Sequence, residues 1–261
     1  MKGIHLVIFC KGEYKDTFLN HCVYSIEKYV QDKIVSKTVI TDTEFKFKDF
    51  KTILDKELWT LIDPSYSYKS LYKDTWTRQQ ILKLSLDSIL EGNILIVDAD
   101  LIFLQKVKFV NKDKTYNFYT SCEFDKNYFS LISYLVDVNK QISNSFITDF
   151  GIFNSALLKE IKEKIKEKHH KSWLELLDEI LPDSIKARSS GIGFLLSEYE
   201  LYGNYVMYHH ANLIGNIIDT NSRQSWIDFK SPFQYSSLNL IRILRRQTNK
   251  SFQSIRLLQN Q

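Results

Sequence analysis

Apolar positions along this chain fall into short runs separated by polar turns, and two periods alternate. Ile4 to Cys10, interrupted only by His5, and Ile94 to Val97 are apolar stretches of strand length, rich in β-branched residues, the pattern of strands buried on both faces. Lys37 to Thr41 and Tyr116 to Cys122 predict further strands. Between them the spacing turns helical. Phe18, Cys22 and Ile26 or Tyr29 share one stripe, with His21 beside it, and Ile81, Leu82, Leu84 and then Ile89 mark the buried side of a helix beginning at Asp74 or Thr75. Ser155 to Lys168 alternates charge at i, i+4 spacing, and Trp173 to Leu181 is a helix stopped by Pro182. Thr52 to Ile62 carries short elements, and Asp63 to Tyr68 with Tyr72 reads as an aromatic loop. Strands alternating with helices predict an α/β fold around a mostly parallel sheet.

The most informative stretch is Asn93 to Gln105, NILIVDADLIFLQ. Its strand ends in Asp98 and Asp100, and an apolar run, Leu101 to Leu104, resumes directly after them. Charges between two buried segments need compensation, because desolvating a lone carboxylate costs several kcal/mol. Two acids at i and i+2 where a strand ends can converge on one hard cation, Mg²⁺ or Mn²⁺, which would in turn hold a diphosphate. The alternative is structural: Asp98 caps a turn and Asp100 pairs with a nearby Lys or Arg.

The chain's 261 residues suit one α/β domain over residues 1–230, with 231–261 left as a basic amphipathic segment. A formal charge of +4 is too mild to argue for nucleic acid. Cys10, Cys22 and Cys122 form no CxxC pair and read as reduced thiols of a cytoplasmic protein. The first apolar run lacks the features of a signal peptide, and no stretch approaches the ~20 apolar residues of a spanning helix. The last segment combines Leu240, Ile241 and Leu244 with Arg242, Arg245, Arg246, Lys250 and Arg256. It reads either as a contact with the inner face of a membrane or an anionic glycolipid, or as a final packing helix with a frayed tail.

A hydrophobic strand, Asp98-Ala99-Asp100 and a second apolar stretch, preceded by the helix Thr77-Arg78-Gln79-Gln80-Ile81-Leu82-Lys83-Leu84, resemble the DxD neighbourhood of nucleotide-sugar glycosyltransferases with the GT-A fold. Small bacterial transferases that build surface polysaccharides and lipooligosaccharides are the nearest in pattern. The resemblance implies a Rossmann-like sheet flanked by helices with a short helical C-terminal extension. It also implies an enzyme that moves a sugar from a nucleoside diphosphate, UDP foremost, to a hydroxyl of a glycan or glycolipid with Mn²⁺ or Mg²⁺. Asp98 and Asp100 would hold the metal, with His209 of the His209-His210 pair as a third ligand. Late acidic residues supply the acceptor's base in many such enzymes, which points to Glu198, then Glu200, in Ser197-Glu198-Tyr199-Glu200. Asp149, in the aromatic stretch Ser145 to Asn154, would line the donor-sugar and acceptor pocket; were configuration retained, it or Glu123 would lie beneath the anomeric carbon.

Position in the fold adds three candidates. Lys11 follows the first strand, where open α/β sheets bind ligands, and is a phosphate contact or a solvated loop lysine. Asp42 follows the second strand and reads a ribose or base, or caps a turn. Arg78, near a helix start, is a donor-phosphate residue or a surface arginine. The Gly191-Ile192-Gly193 run is a weak phosphate signal. Two other functions share parts of this pattern. Haloacid-dehalogenase-type phosphohydrolases also place Asp-x-Asp after a strand, yet expect Thr or Val where Ile102 stands and a motif near the N-terminus. A non-catalytic glycan- or nucleotide-binding protein would keep the aspartates for structure alone.

Overall fold

A computed structural model of the chain describes residues 3–181 and 193–219, together with the backbone of 228–229 and 254–257. Its centre is a five-stranded sheet in the order β3 (Lys51–Leu54), β2 (Ile34–Thr41), β1 (Ile4–Phe9), β4 (Asn93–Asp98), β7 (Phe150–Asn154). The first four are parallel, and β7 closes one edge antiparallel to β4. The sequence explains the arrangement. Leu6 to Ile8 and Ile94 to Val97 have essentially no exposed surface, as befits the two middle strands. In β2 only the second half, from Thr38, is buried, as expected nearer an edge.

The helices α1 (Asn20–Tyr29), α2 (Asp55–Ile62), α3 (Lys69–Lys73), α4 (Thr75–Leu84), α5 (Lys126–Val136), α6 (Ser155–His169), α7 (Trp173–Ile180) and α8 (Glu198–His209) flank the sheet. Several start on capping side chains: Asp74 accepts from the Trp76 amide, Asp125 from Asn127, Asn154 from Ala156 and Ser172 from Glu175. The aromatic loop at 63–68 is shorter than expected, since α3 takes in Tyr72. Beside the main sheet, β6 (Tyr116–Thr120) pairs in parallel with β8 (Ile214–Asp219).

Chain order matters for the site. From β1 the chain steps outward to β2 and β3, then returns to place β4 on the opposite side of β1. The two directions part between β1 and β4, and a crevice opens there beyond the carboxyl ends of the strands. The expected helical C-terminal extension is corrected in its described parts. β9 (Asp228–Phe229) and β10 (Ser254–Leu257) are strands, and β10 pairs antiparallel with β5 (Leu101–Phe103), directly after the Asp-Ala-Asp turn. An extended backbone there satisfies the outer edge of β5. Leu240 to Lys250 and Gly191-Ile192 lie outside the described residues. Among the described residues no helix is long and apolar enough to cross a membrane. All three cysteines are free thiols.

Candidate functional site

A cleft of about 520 Å³ lies at the carboxyl ends of the parallel strands. Its walls include Phe9 to Lys11 after β1, Ile40 to Asp42 at β2, Asp55 after β3, and Asp98 to Asp100 at the close of β4. Eight of the ten candidate residues line it: Lys11, Asp42, Arg78, Asp98, Asp100, Glu123, Asp149 and Glu198. Backbone bonds hold the floor. The Asp98 amide donates to the Asp149 carbonyl (2.9 Å) and the Ala99 amide to Phe9 (3.0 Å), so the motif turn is tied to both neighbouring strands.

His209 is not there. Glu198 opens α8 and His209 ends it, about 16 Å away at 1.5 Å per residue. Its ring packs on Tyr205 and Tyr208, and burial together with neighbouring His210 lowers its pKa. His209 is therefore corrected from metal ligand to helix-end aromatic neighbour. His210 bonds Glu160 (2.8 Å).

Lys83, which the sequence pattern did not single out, is the electrostatic centre of the cleft's inner end. It is 2% exposed, and its ammonium lies 3.0 Å from Asp98 Oδ1, 2.8 Å from Glu198 Oε1 and 3.5 Å from the Tyr199 hydroxyl. It also sits 4.8 Å from the centre of the Tyr199 ring. Burial works against its charge, but Asp98 and Glu198 outweigh it and raise its pKa well above the ordinary value. Gln79 donates to Asp98 (3.4 Å), and the Gln80 amide, with its nitrogen turned inward, donates to Glu198. The signal in the sequence was a lysine flanked by Leu82 and Leu84 on a helix that is buried around this point.

Glu198, expected as the acceptor's base, is buried and already partnered. It is 1% exposed, burial raises its pKa against the pull of Lys83, and its oxygens are taken up by Lys83 and Gln80. Glu200 is outside the cleft lining and clamps the loop before β7, accepting from the Phe146 amide (3.1 Å) and from Asn204 (2.8 Å).

Toward the mouth, Arg78 pairs with Asp55 (3.2 Å), donates to the Tyr72 carbonyl (3.3 Å) and stacks over the Tyr72 ring at 4.6 Å. It is a packed residue of the cleft wall and no loose surface arginine. Asp42 accepts from the Gly12 amide (2.8 Å) and from Thr43 Oγ1 (3.2 Å), bracing the loop that carries Lys11. Asp149 is 7% exposed and holds φ of 59°, a left-handed conformation that Asp tolerates better than most residues. Such conformations persist where the surroundings over-determine them, often at functional sites. Gly151, two residues on, explains the glycine in the aromatic stretch. A Cβ there would come within 2.9 Å of the Tyr199 ring, which rests on the strand.

In charge, the described lining sets seven carboxylates (Asp42, Asp55, Asp98, Asp100, Glu123, Asp149, Glu198) against Lys11, Arg78 and Lys83. An anionic ligand entering alone meets a net negative wall, and one that arrives with a divalent cation brings charge that offsets part of it. Asp98 and Asp100 present only hard oxygen donors, which suit Mg²⁺ or Mn²⁺. Among the described residues no three His, Cys, Asp or Glu side chains gather into a metal site by themselves. A cation here would complete its shell with water and ligand oxygens, as Mg²⁺ bound at one or two carboxylates commonly does.

No curated protein matches the chain. A protein-family model matches nearly the whole described fold: over residues 6–235 the chain belongs to DUF6492, a family of unknown function.

Proposed function

We propose that the protein is a GT-A-like glycosyltransferase that moves a sugar from a nucleoside diphosphate to a hydroxyl of a glycan or glycolipid with the help of Mn²⁺ or Mg²⁺. One observation carries the proposal. The cleft opens where the strand order reverses, and it gathers Lys11, Arg78, Asp98 and Asp100 from three separate segments around a volume of about 520 Å³. Pockets of that size accept drug-sized ligands.

Asp100 and Asp98 are the residues that would hold the cation, which when bound would offset charge on the departing diphosphate. Lys83 fixes Asp98 in one orientation. Lys11 and Arg78 add positive charge on the phosphate side. Glu198 secures Lys83, so the carboxylate assigned to the sugar or acceptor is Asp149, with Glu123 as its neighbour across the cleft lining.

Thermal-shift measurements with UDP, UDP-sugars and Mn²⁺ test this, because a ligand of the folded state raises Tm by mass action. UDP and Mn²⁺ together are expected to stabilise the protein more than either alone, and Asp100→Ala to lose the joint effect and any metal-dependent turnover. Stabilisation by sugar phosphates but by no nucleoside diphosphate would replace the transferase with a phosphohydrolase. Unchanged ligand binding in Asp100→Ala, with no turnover in either form, would replace it with a binding module.

A further inference from the structure

Phe124 is a large aromatic residue that the fold leaves 64% exposed, and it directly follows Glu123, which lines the cleft. Its loop is fastened to the loop before β7 by two backbone bonds, Ser121 amide to Ser145 carbonyl (2.8 Å) and the reverse (2.9 Å). That second loop leads to Ile147 and Asp149 on the same cleft wall. Phe124 is therefore one residue from the cleft wall.

Local structure explains part of this. Phe124 precedes the Asp125 cap of α5, and its ring meets that of Phe129 with centroids 5.3 Å apart, the staple that fixes a helix entry. The staple accounts for the contact and for a fixed ring plane. It does not account for the exposure. Lys140, whose ammonium donates to the Asn144 carbonyl, also lies 4.7 Å from the Phe129 centroid and 6.0 Å from that of Phe124.

We infer that Phe124, Phe129 and Lys140 form a subsite for the acceptor, a glycan whose terminal sugar stacks on Phe124 and carries a carboxylate or phosphate toward Lys140. The inference rests on the transferase reading for the word acceptor, and on the geometry alone for the binding. A pyranose offers an apolar C–H face that suits a flat ring held at a fixed angle. The ammonium beside the ring supplies attraction for an anionic group, which the acid-rich cleft lining would repel.

The test uses a hyaluronan tetrasaccharide, which carries glucuronate, and neutral chitotetraose, followed by saturation-transfer NMR titration of the full chain. The wild type is expected to prefer the acidic probe. Phe124→Leu keeps the staple's apolar contact and removes the flat face; it is expected to weaken acidic-probe binding by about tenfold or more, while Phe124→Tyr stays within about twofold. Lys140→Met is expected to erase the preference for the acidic probe. Equal binding by Phe124→Leu and wild type, no preference between the probes, or no binding by the wild type overturns the inference. The UDP and Mn²⁺ thermal shift, measured on the same variants, is expected to be unchanged. Its absence from the wild type would remove the transferase reading without touching the sugar-binding result.

Discussion

Lys83 is held between two carboxylates, so the cost of removing it is set by what it leaves behind. Lys83→Met would strand Asp98 and Glu198 on the same dry wall with no cation between them, and breaking a buried pair from one side costs about 3–5 kcal/mol. Adding Glu198→Gln removes the deeper of the two charges, and the double variant is expected to recover a large part of that loss in urea unfolding. Equal instability of the single and double variants would mean that Lys83 acts through packing alone. Asp63 offers a pH-dependent counterpart. It is 3% exposed and accepts from the Ser67 amide (3.0 Å), the Tyr68 amide (3.0 Å) and Ser65 Oγ (3.2 Å), organising the turn before α3. Burial opposes its charge, but the Tyr68 and Ser67 amides prevail and lower its pKa. The folded value lies below the unfolded one of about 3.9, so its contribution is complete at pH 7 and disappears as pH falls through the folded value. Asp63→Asn is expected to cost about 1.5–3 kcal/mol at pH 7. The gap from wild type should narrow at pH 3, and a gap of equal size at both pH values would show that ionisation is immaterial.

At the scale of elements, the contact of β7 with α8 sets the shape of the cleft's inner end. Tyr199 lies over Gly151 on one side and by Lys83 on the other, so the strand, the helix and the ion network share one residue. Gly151→Ala is expected to cost about 1–3 kcal/mol by overpacking, read from the urea midpoint, and to lower the Tm gain from UDP with Mn²⁺ by displacing Tyr199. An unchanged midpoint would show that the ring can shift without loss. The sequence made β1, β2, β4, α1, α4, α6 and α7 legible because their apolar positions follow one clear period. It did not reveal α5, whose KNYFSLISYLV mixes aromatic and β-branched residues and owes its start to the Asp125 cap. β7 and its antiparallel direction were equally hidden, since the aromatic stretch that contains it shows no clear strand period. For the site, strand ends were a sound guide: Lys11, Asp42, Asp98 and Asp100 all reached the cleft. His209 failed because the residues between it and Glu198 are one continuous helix, which carries it away from the strand ends. Lys83 was missed because an apolar run conceals a charge whose partners, Asp98 and Glu198, come from distant segments.

For the whole molecule, the three thiols sample three depths of one fold and so report how it opens. Cys122 is exposed, Cys10 lines the cleft, and Cys22 is fully buried in α1. Burial, with Asp42 and Asp100 nearby, pushes Cys10 up to about 12. At pH 8 about one part in ten thousand of it is thiolate, and the thiolate is the form that alkylates. Iodoacetamide at pH 8 is therefore expected to label Cys122 first, giving a single adduct by mass spectrometry. Cys10 should follow through local opening of the cleft, and Cys22 only through openings that approach global unfolding. UDP with Mn²⁺ bound in the cleft would then slow labelling of Cys10 selectively, leaving Cys122 unaffected and Cys22 protected only by the gain in overall stability. Equal protection of Cys10 and Cys22 would mean that the ligand stabilises the fold from elsewhere, and faster labelling of Cys10 would mean that ligand entry pries the β1 and β4 ends apart.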